Sequence, residues 1–215
     1  MTGPRSQSKG PAVTGEVRNP TRASQSPPDA YGDRLRIRSA EAEVDLPGIV
    51  GLFEAGMDLG DWMDNDTGAD VINFHEAYCN DEGRSQFWVA ELRDAVVEAK
   101  PLPRLIGMIG VQCDDANTAV IRRLRVEPSH QRKGVGTRLI ECAVSFCREK
   151  NYLKVILDAR VTHERAIALF ERFSFQLNRT RTVRGERILD FYLDLYREHD
   201  PSRNGHGNGN GNGKK

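Results

Sequence analysis

Apolar and polar residues alternate along this chain in two rhythms, and the switch between them marks the elements. Residues 35–38 predict a short strand. Leu46, Ile49, Val50, Phe53 and Met57 then recur at helical spacing, with Asp45 placed to cap that helix and Pro47 tolerated in its first turn. A second helix is expected around 70–78. Residues 87–92 and 105–111 predict strands, separated by a polar segment holding Pro101 and Pro103. The turn cluster Asp114, Asp115, Ala116, Asn117 joins the second of these to a strand over 119–126, an antiparallel hairpin. From Gly134 a helix opens whose apolar face is Val135, Leu139, Ala143, Phe146 and Cys147, with Ile140 and Val144 beside it. Residues 155–159 are nearly all apolar, as in a strand buried on both faces. A helix over 163–173 turns Ala166, Ile167, Leu169, Phe170 and Phe173 inward, and Leu189, Phe191, Leu193 and Leu195 then alternate with polar residues, the mark of a half-buried strand. Antiparallel strands lead into one parallel strand–helix–strand crossover and return to antiparallel, so the fold class is a mixed-sheet α/β domain.

Composition trims the ends. Residues 1–30 hold five prolines, four serines and no aromatic residue, and the last stretch is an Asn-Gly repeat ending in two lysines. Neither end buries enough apolar surface to offset its ordering entropy. The expected organisation is a disordered tail over 1–33, one domain over 34–196 and a disordered tail over 197–215. No apolar run approaches the ~18 residues of a membrane span, and the opening residues have no secretory apolar stretch. A cytoplasmic domain without membrane contact is therefore expected.

Charge sharpens this. The whole chain is neutral, but residues 31–196 carry 23 basic and 27 acidic residues. A mildly acidic domain is a poor bulk binder of nucleic acid, whose affinity rests on many phosphate contacts. Cys79, Cys113, Cys142 and Cys147 show no CxxC spacing and read as reduced thiols rather than disulfides or metal ligands. No metal is expected.

The chemistry concentrates between Leu124 and Leu139: a strand, a break at Pro128, the basic pair Arg132 and Lys133, then Gly134 and Gly136 at a helix start. First-turn N–H groups and the helix dipole attract an anion there, the glycines leave room for it, and the cations add full charge. This is a phosphate cradle. A P-loop would need Lys-Ser/Thr after its last glycine, where Thr137-Arg138 stand, and a dinucleotide fingerprint would need a third glycine at Leu139. The spacing Gln131-x-x-Gly134-x-Gly136 instead resembles the coenzyme A pyrophosphate loop of the GNAT superfamily of N-acetyltransferases. The run His163-Glu164-Arg165-Ala166-Ile167-Ala168-Leu169-Phe170, ending in Ser174-Phe175, matches that family's Asn-x-x-Ala-x-x-x-Tyr helix in spacing.

The resemblance implies a GNAT-like fold in which the strand ending at Val126 splays from the strand at 155–159. The pantetheine arm of acetyl-CoA would lie in the cleft along Leu124 and Val126, and the Val126 N–H would stabilise the oxyanion. Gln131, Arg132, Lys133, Gly134, Val135, Gly136 and Thr137 would hold the pyrophosphate. His163 stands where the family has its asparagine, and could touch the arm or protonate sulfur. Phe170 stands where the family often has a tyrosine acid, and cannot donate a proton. The implied activity is transfer of an acetyl group from acetyl-CoA to a small-molecule or peptide amine by direct attack on the thioester. The alternative, favoured by Phe170, is a non-catalytic acyl-CoA-binding regulatory module. Glu91, His75 or a water chain are the candidates for the base. From Glu54 to Glu82 there are nine acidic residues and no Lys or Arg, so a cationic acceptor is the expectation if this run lines the cleft. Arg179, Arg181, Arg184 and Arg187 form a second charged group beside the last hairpin. The sequence does not specify an oligomeric state.

Overall fold

A computed structural model describes residues 30–56, 67–93 and 104–196 of the chain. Residues 1–29 and 197–215 and Met57, Asp58, Asp61, Asp64, Asp66, Pro101 and Pro103 lie outside the described residues, whereas residues 30–33 of the expected N-terminal tail are described and enter a helical turn over Gly32–Arg34. In chain order the elements are β1 (Leu35–Ser39), α1 (Ala42–Gly56), α2 (Ala69–Ile72), α3 (Phe74–Tyr78), β2 (Gln86–Leu92), β3 (Arg104–Cys113), β4 (Thr118–Val126), α4 (Val135–Glu149), β5 (Lys154–Arg160), α5 (Glu164–Arg172), β6 (Gln176–Val183) and β7 (Glu186–Asp194). The sheet order is β1-β2-β3-β4-β5-β7-β6. The pairs are antiparallel except β4–β5, which is parallel. This is the mixed α/β sheet that the hydrophobic pattern predicts, with α4 as the crossover.

The sheet separates two cores, and strand β2 shows how. Its residues alternate between the faces. Trp88 and Ala90 join the core that α4 covers, with Trp88 edge-on to Phe146 at 5.2 Å between ring centres. Phe87 and Val89 join the other core, with Ile49 of α1 and Phe74 and Tyr78 of α3. On α4 the predicted apolar face is buried throughout, and Leu139 and Ile140, fully buried, contribute roughly 2 kcal/mol each. On α5 only Phe170 is buried, the other predicted inward residues being half-covered.

Two local expectations are corrected. Asp45 does not cap α1, which begins three residues earlier at Ala42. Its buried carboxylate instead reaches back to the Glu41 N–H at 2.8 Å and receives both terminal nitrogens of Arg38 at 2.6 and 2.8 Å. The charge is thus used twice, to satisfy an orphan helix donor and to tie α1 to β1. The single helix expected around 70–78 is two short turns, α2 and α3, with Asn73 between them. Of the predicted apolar stripe, Ile49 is fully buried and Leu46, Val50 and Phe53 are packed beside it.

Candidate active site

Strands β4 and β5 pair over three residues only: Thr118 with Lys154, Ala119 with Val155, and Val120 with Ile156. Beyond that point β4 stays with β3 as far as Val126, and β5 stays with β7 as far as Arg160. The sheet therefore opens between them, as the family resemblance implied. A bulge in β4 accompanies the opening. Gly110 faces Arg122 and Met108 faces Arg125, so Ile109 alone opposes Arg123 and Leu124. Arg123 takes a left-handed backbone, φ 59°. An extra residue in one strand bends it and strengthens its twist. The sequence carried no mark of this bulge, because Arg is not a residue that signals positive φ.

Past the bulge, alternation decides where the backbone points. The Glu127 N–H donates to the Ile106 carbonyl in β3 at 2.8 Å. Val126, one residue earlier, accordingly turns its N–H and C=O the other way, toward the gap. Its carbonyl accepts the side-chain amide of Gln131 at 3.0 Å, and Gln131 Oε1 accepts Arg165 Nη1 at 3.0 Å. Gln131 is thus a strut between the end of β4 and α5.

The loop after β4 breaks at Pro128 into a single helical turn, Pro128–His130. Arg132 (φ 62°) and Gly134 (φ 87°) are both left-handed, on either side of Lys133. Backbone that alternates in this way gathers consecutive N–H groups into a concave nest for an anion. At Gly134 only glycine adopts the conformation without strain. Gly134 then caps α4, and its carbonyl receives the Arg138 N–H at 3.1 Å. The first-turn N–H groups of α4 open beside the nest.

A cavity of about 960 Å³ runs from this loop to the gap. Of the residues singled out from the sequence, Leu124, Val126, Gln131, Arg132, Gly134, Gly136, Thr137 and His163 line it. Three do not. Lys133 folds back, its Nζ donating to the Ser129 carbonyl at 2.9 Å and lying 5.7 Å from the centre of the Tyr31 ring. Val135 is buried under the loop. Phe170 lies deeper, 6.0 Å from Phe175 and 6.1 Å from Phe191 between ring centres, and lines a second cavity. That cavity, about 790 Å³, extends over β5, β6 and β7. Leu124, Arg125, His163 and Ala166 line both cavities, so the two meet at the gap.

Two cations of α5 at the first cavity were given no role in the sequence reading, Arg165 and Arg172. Their spacing of seven, with Ala168 and Leu169 between, puts them on one helix face, which is the signal that could have found them. Arg172 Nη2 donates to Thr137 Oγ1 at 3.2 Å, joining α5 to the first turn of α4. Tyr31, near the start of the domain, shares a hydrogen bond with His130 Nδ1 at 2.5 Å and braces the loop from outside.

The base candidates stand elsewhere. Glu91 is buried in β2 with Arg38 Nε at 2.7 Å, and neither it nor His75 lines either cavity. Burial alone would raise the Glu91 pKa, but the hydrogen bonds from Arg38 and Arg93 outweigh it and hold the carboxyl below its ordinary range. None of the four cysteines lines either of these two cavities, and burial pushes the Cys147 thiol up to about 12. Among the described residues no cluster of three metal-ligating side chains occurs, and no helix is long and apolar enough to cross a membrane.

Residues 56–175, more than half of the chain, match the Acetyltransferase (GNAT) family, and the chain belongs to that family. It is similar to N-acetyltransferase 8 of Rattus norvegicus, 25% identical over 126 residues, which are 58% of this chain and 54% of that protein. It is similar also to N-alpha-acetyltransferase 30 of Xenopus laevis, 28% identical over 101 residues, 41% of this chain and 34% of that one. The chain spans about half the length, or less, of the curated relatives it matches. Among solved structures, a GCN5-related N-acetyltransferase from Kribbella flavida superposes with a TM-score of 0.62 at 16% identity, covering 75% of this chain and 98% of that one. The protein yncA of Salmonella typhimurium, solved with its cofactor acetyl-CoA, superposes with a TM-score of 0.60 at 17% identity, covering 80% and 99%. These likenesses establish the fold.

Proposed function

We propose that the domain transfers an acetyl group from acetyl-CoA to a primary amine. The observation that carries this reading is the join of an anion nest to a strand gap by one continuous cavity, with the Val126 N–H turned toward the gap. Bare amides at Arg132 to Thr137 and the cation of Arg132 suit a pyrophosphate, and Arg165 and Arg172 add charge along the same wall. Leu124 and the N–H of Val126 offer strand edge, past the last pair with β5, to a pantetheine arm. Acetyl-CoA supplies the activated acetyl group as co-substrate.

In this reading Val126 donates its N–H to the thioester oxygen as charge develops there, the usual large electrostatic contribution to acyl transfer. The amine nitrogen attacks the thioester carbon to form the C–N bond, the C–S bond breaks as the oxyanion collapses, and the nitrogen's surplus proton passes to water. Sulfur leaves as a thiolate of pKa about 8.5, a tolerable leaving group near neutrality. His163, where the cavities meet, is our candidate to deliver a proton to that sulfur. The absence of cysteine from both cavity walls supports direct attack without an acyl-enzyme.

The test is thiol release from acetyl-CoA with a mixed amine library, run beside Gly134→Asp/Gly136→Asp. Amine-dependent release by the natural chain, and loss of coenzyme binding in the double variant, are expected, because each new carboxylate enters the nest. Tight coenzyme binding with no amine-dependent release would leave a binding module in place of an enzyme.

A further inference from the structure

The second cavity lies across the gap from the nest, and its charge differs from the acidic expectation drawn from residues 54–82. Among the described residues, seven cationic and three acidic side chains line it. Two of the three acids are already engaged: Asp190 accepts Arg179 Nε at 2.7 Å and Arg181 Nε at 2.8 Å, and Asp158 accepts Arg181 Nη2 at 2.8 Å. Three more guanidinium groups, Arg122, Arg125 and Arg160, flank the gap itself. Arg122 is exposed on β4, two residues past the last pair with β5. Arg160 is buried at the end of β5, with its Nε 3.7 Å from Glu186 Oε2. Arg123, one of the seven, is paired with Asp70.

We propose that the acceptor is an amine that also carries a carboxylate, of the α-amino acid type, bound in this second cavity with its carboxylate on Arg122 and Arg160. The proposal rests on the acetyltransferase reading and names the substrate class of the same site. A concave wall with an excess of positive charge concentrates anions and repels polycations. Guanidinium groups also bind carboxylates with paired, charge-assisted hydrogen bonds. The same charge serves the reaction at the nitrogen. Nearby cations disfavour an ammonium, so they lower the pKa of a bound amine and leave more of it neutral and nucleophilic. That effect eases the task of a base in a site where neither Glu91 nor His75 lines the cavity.

The experiment compares matched acceptors on the full chain: α-amino acids, the amines left by their decarboxylation, and spermidine as a polycation. Thiol release is expected with amino acids, and a kcat/KM at least roughly tenfold lower without the carboxylate. Arg122→Gln, at an exposed position, and Arg160→Gln should each raise KM for the amino acid by about tenfold while leaving coenzyme A affinity unmoved. Equal or better turnover of spermidine or of the decarboxylated amines would overturn the proposal and leave the acetyltransferase reading intact. A fall in coenzyme A affinity in either variant would also overturn it, because the arginines would then serve the coenzyme. Coenzyme binding with no release for any amine would remove the reading beneath it, and the proposal with it.

Discussion

The guanidinium of Arg123 lies against the carboxylate of Asp70, its Nε 3.0 and 2.9 Å from the two oxygens and its Nη2 bonded to the first. Both groups are largely but not fully covered, the Tyr78 hydroxyl donates to Asp70 at 2.7 Å, and the Phe53 ring lies 4.8 Å from the guanidinium. Arg123 is the bulge residue of β4, and Asp70 belongs to α2. The pair therefore fastens the helices on one face of the sheet to the place where the sheet opens. Removing one partner of such a pair leaves a buried charge uncompensated.

Asp70→Asn is expected to cost about 3–5 kcal/mol, read from urea unfolding at pH 7. Burial pulls the Asp70 pKa up, but the hydrogen bonds from Arg123 and Tyr78 outweigh it and hold the carboxyl below its ordinary range. A depressed folded value means that the stabilisation is complete above the unfolded pKa, about 3.9, and is lost as the pH falls through the folded value. The natural chain should therefore lose more stability between pH 7 and pH 3 than Asp70→Asn does. Equal losses would mean that the pair contributes nothing across that window.

The two glycines of the nest should separate folding from binding. Gly134→Ala forces a side chain into a left-handed backbone and is expected to cost about 1–2 kcal/mol. Gly136 is helical, and a new Cβ there meets the end of the Leu169 side chain at 3.3 Å and Val126 Cγ2 at 3.8 Å. Alanine also improves helix propensity by about 1 kcal/mol. Gly136→Ala should thus leave the urea midpoint nearly unchanged, yet weaken coenzyme A in calorimetry by crowding the cradle.

Proton delivery can be probed at two positions. Phe170→Tyr introduces a hydroxyl at the wall of the second cavity, and kcat is expected to rise if a missing acid limits turnover. His163→Ala should lower kcat by about tenfold with coenzyme affinity preserved, less than the ~10² of a strong acid because a thiolate already leaves well. An unchanged kcat in both variants would remove the acid role from each.

Cysteine reactivity tests the direct route. Cys147 is buried with a thiol pKa near 12, burial raises the Cys142 thiol as well, and Cys79 is exposed. A thiol with a raised pKa stays protonated and inert at pH 7.5. Iodoacetamide on the folded protein should label Cys79 in preference to Cys147 by mass spectrometry, with acetyl transfer retained. Loss of transfer on alkylation of Cys79 alone would count against direct attack.

The order of elements was legible from local pattern. Period-two alternation at Leu189 to Leu195 and the apolar stripe of α4 depend on neighbours two to four residues apart, and those distances lie within the sequence. The nest was legible for the same reason, since its glycines, cations and helix start are contiguous. Tertiary structure decided the rest. The bulge at Arg123 arises from pairing with β3, and its lock is an acid 53 residues away. Where the Lys133 side chain lies is set by the Ser129 carbonyl and by the ring of Tyr31, which is distant in the chain. The acidic run suggested a cationic acceptor, whereas the arginines that surround the second cavity come from strands β4, β5 and β6. Charge along a chain is a one-dimensional count. The field in a cavity is set by which side chains converge on it and which are already neutralised, and only the packed sheet determines that.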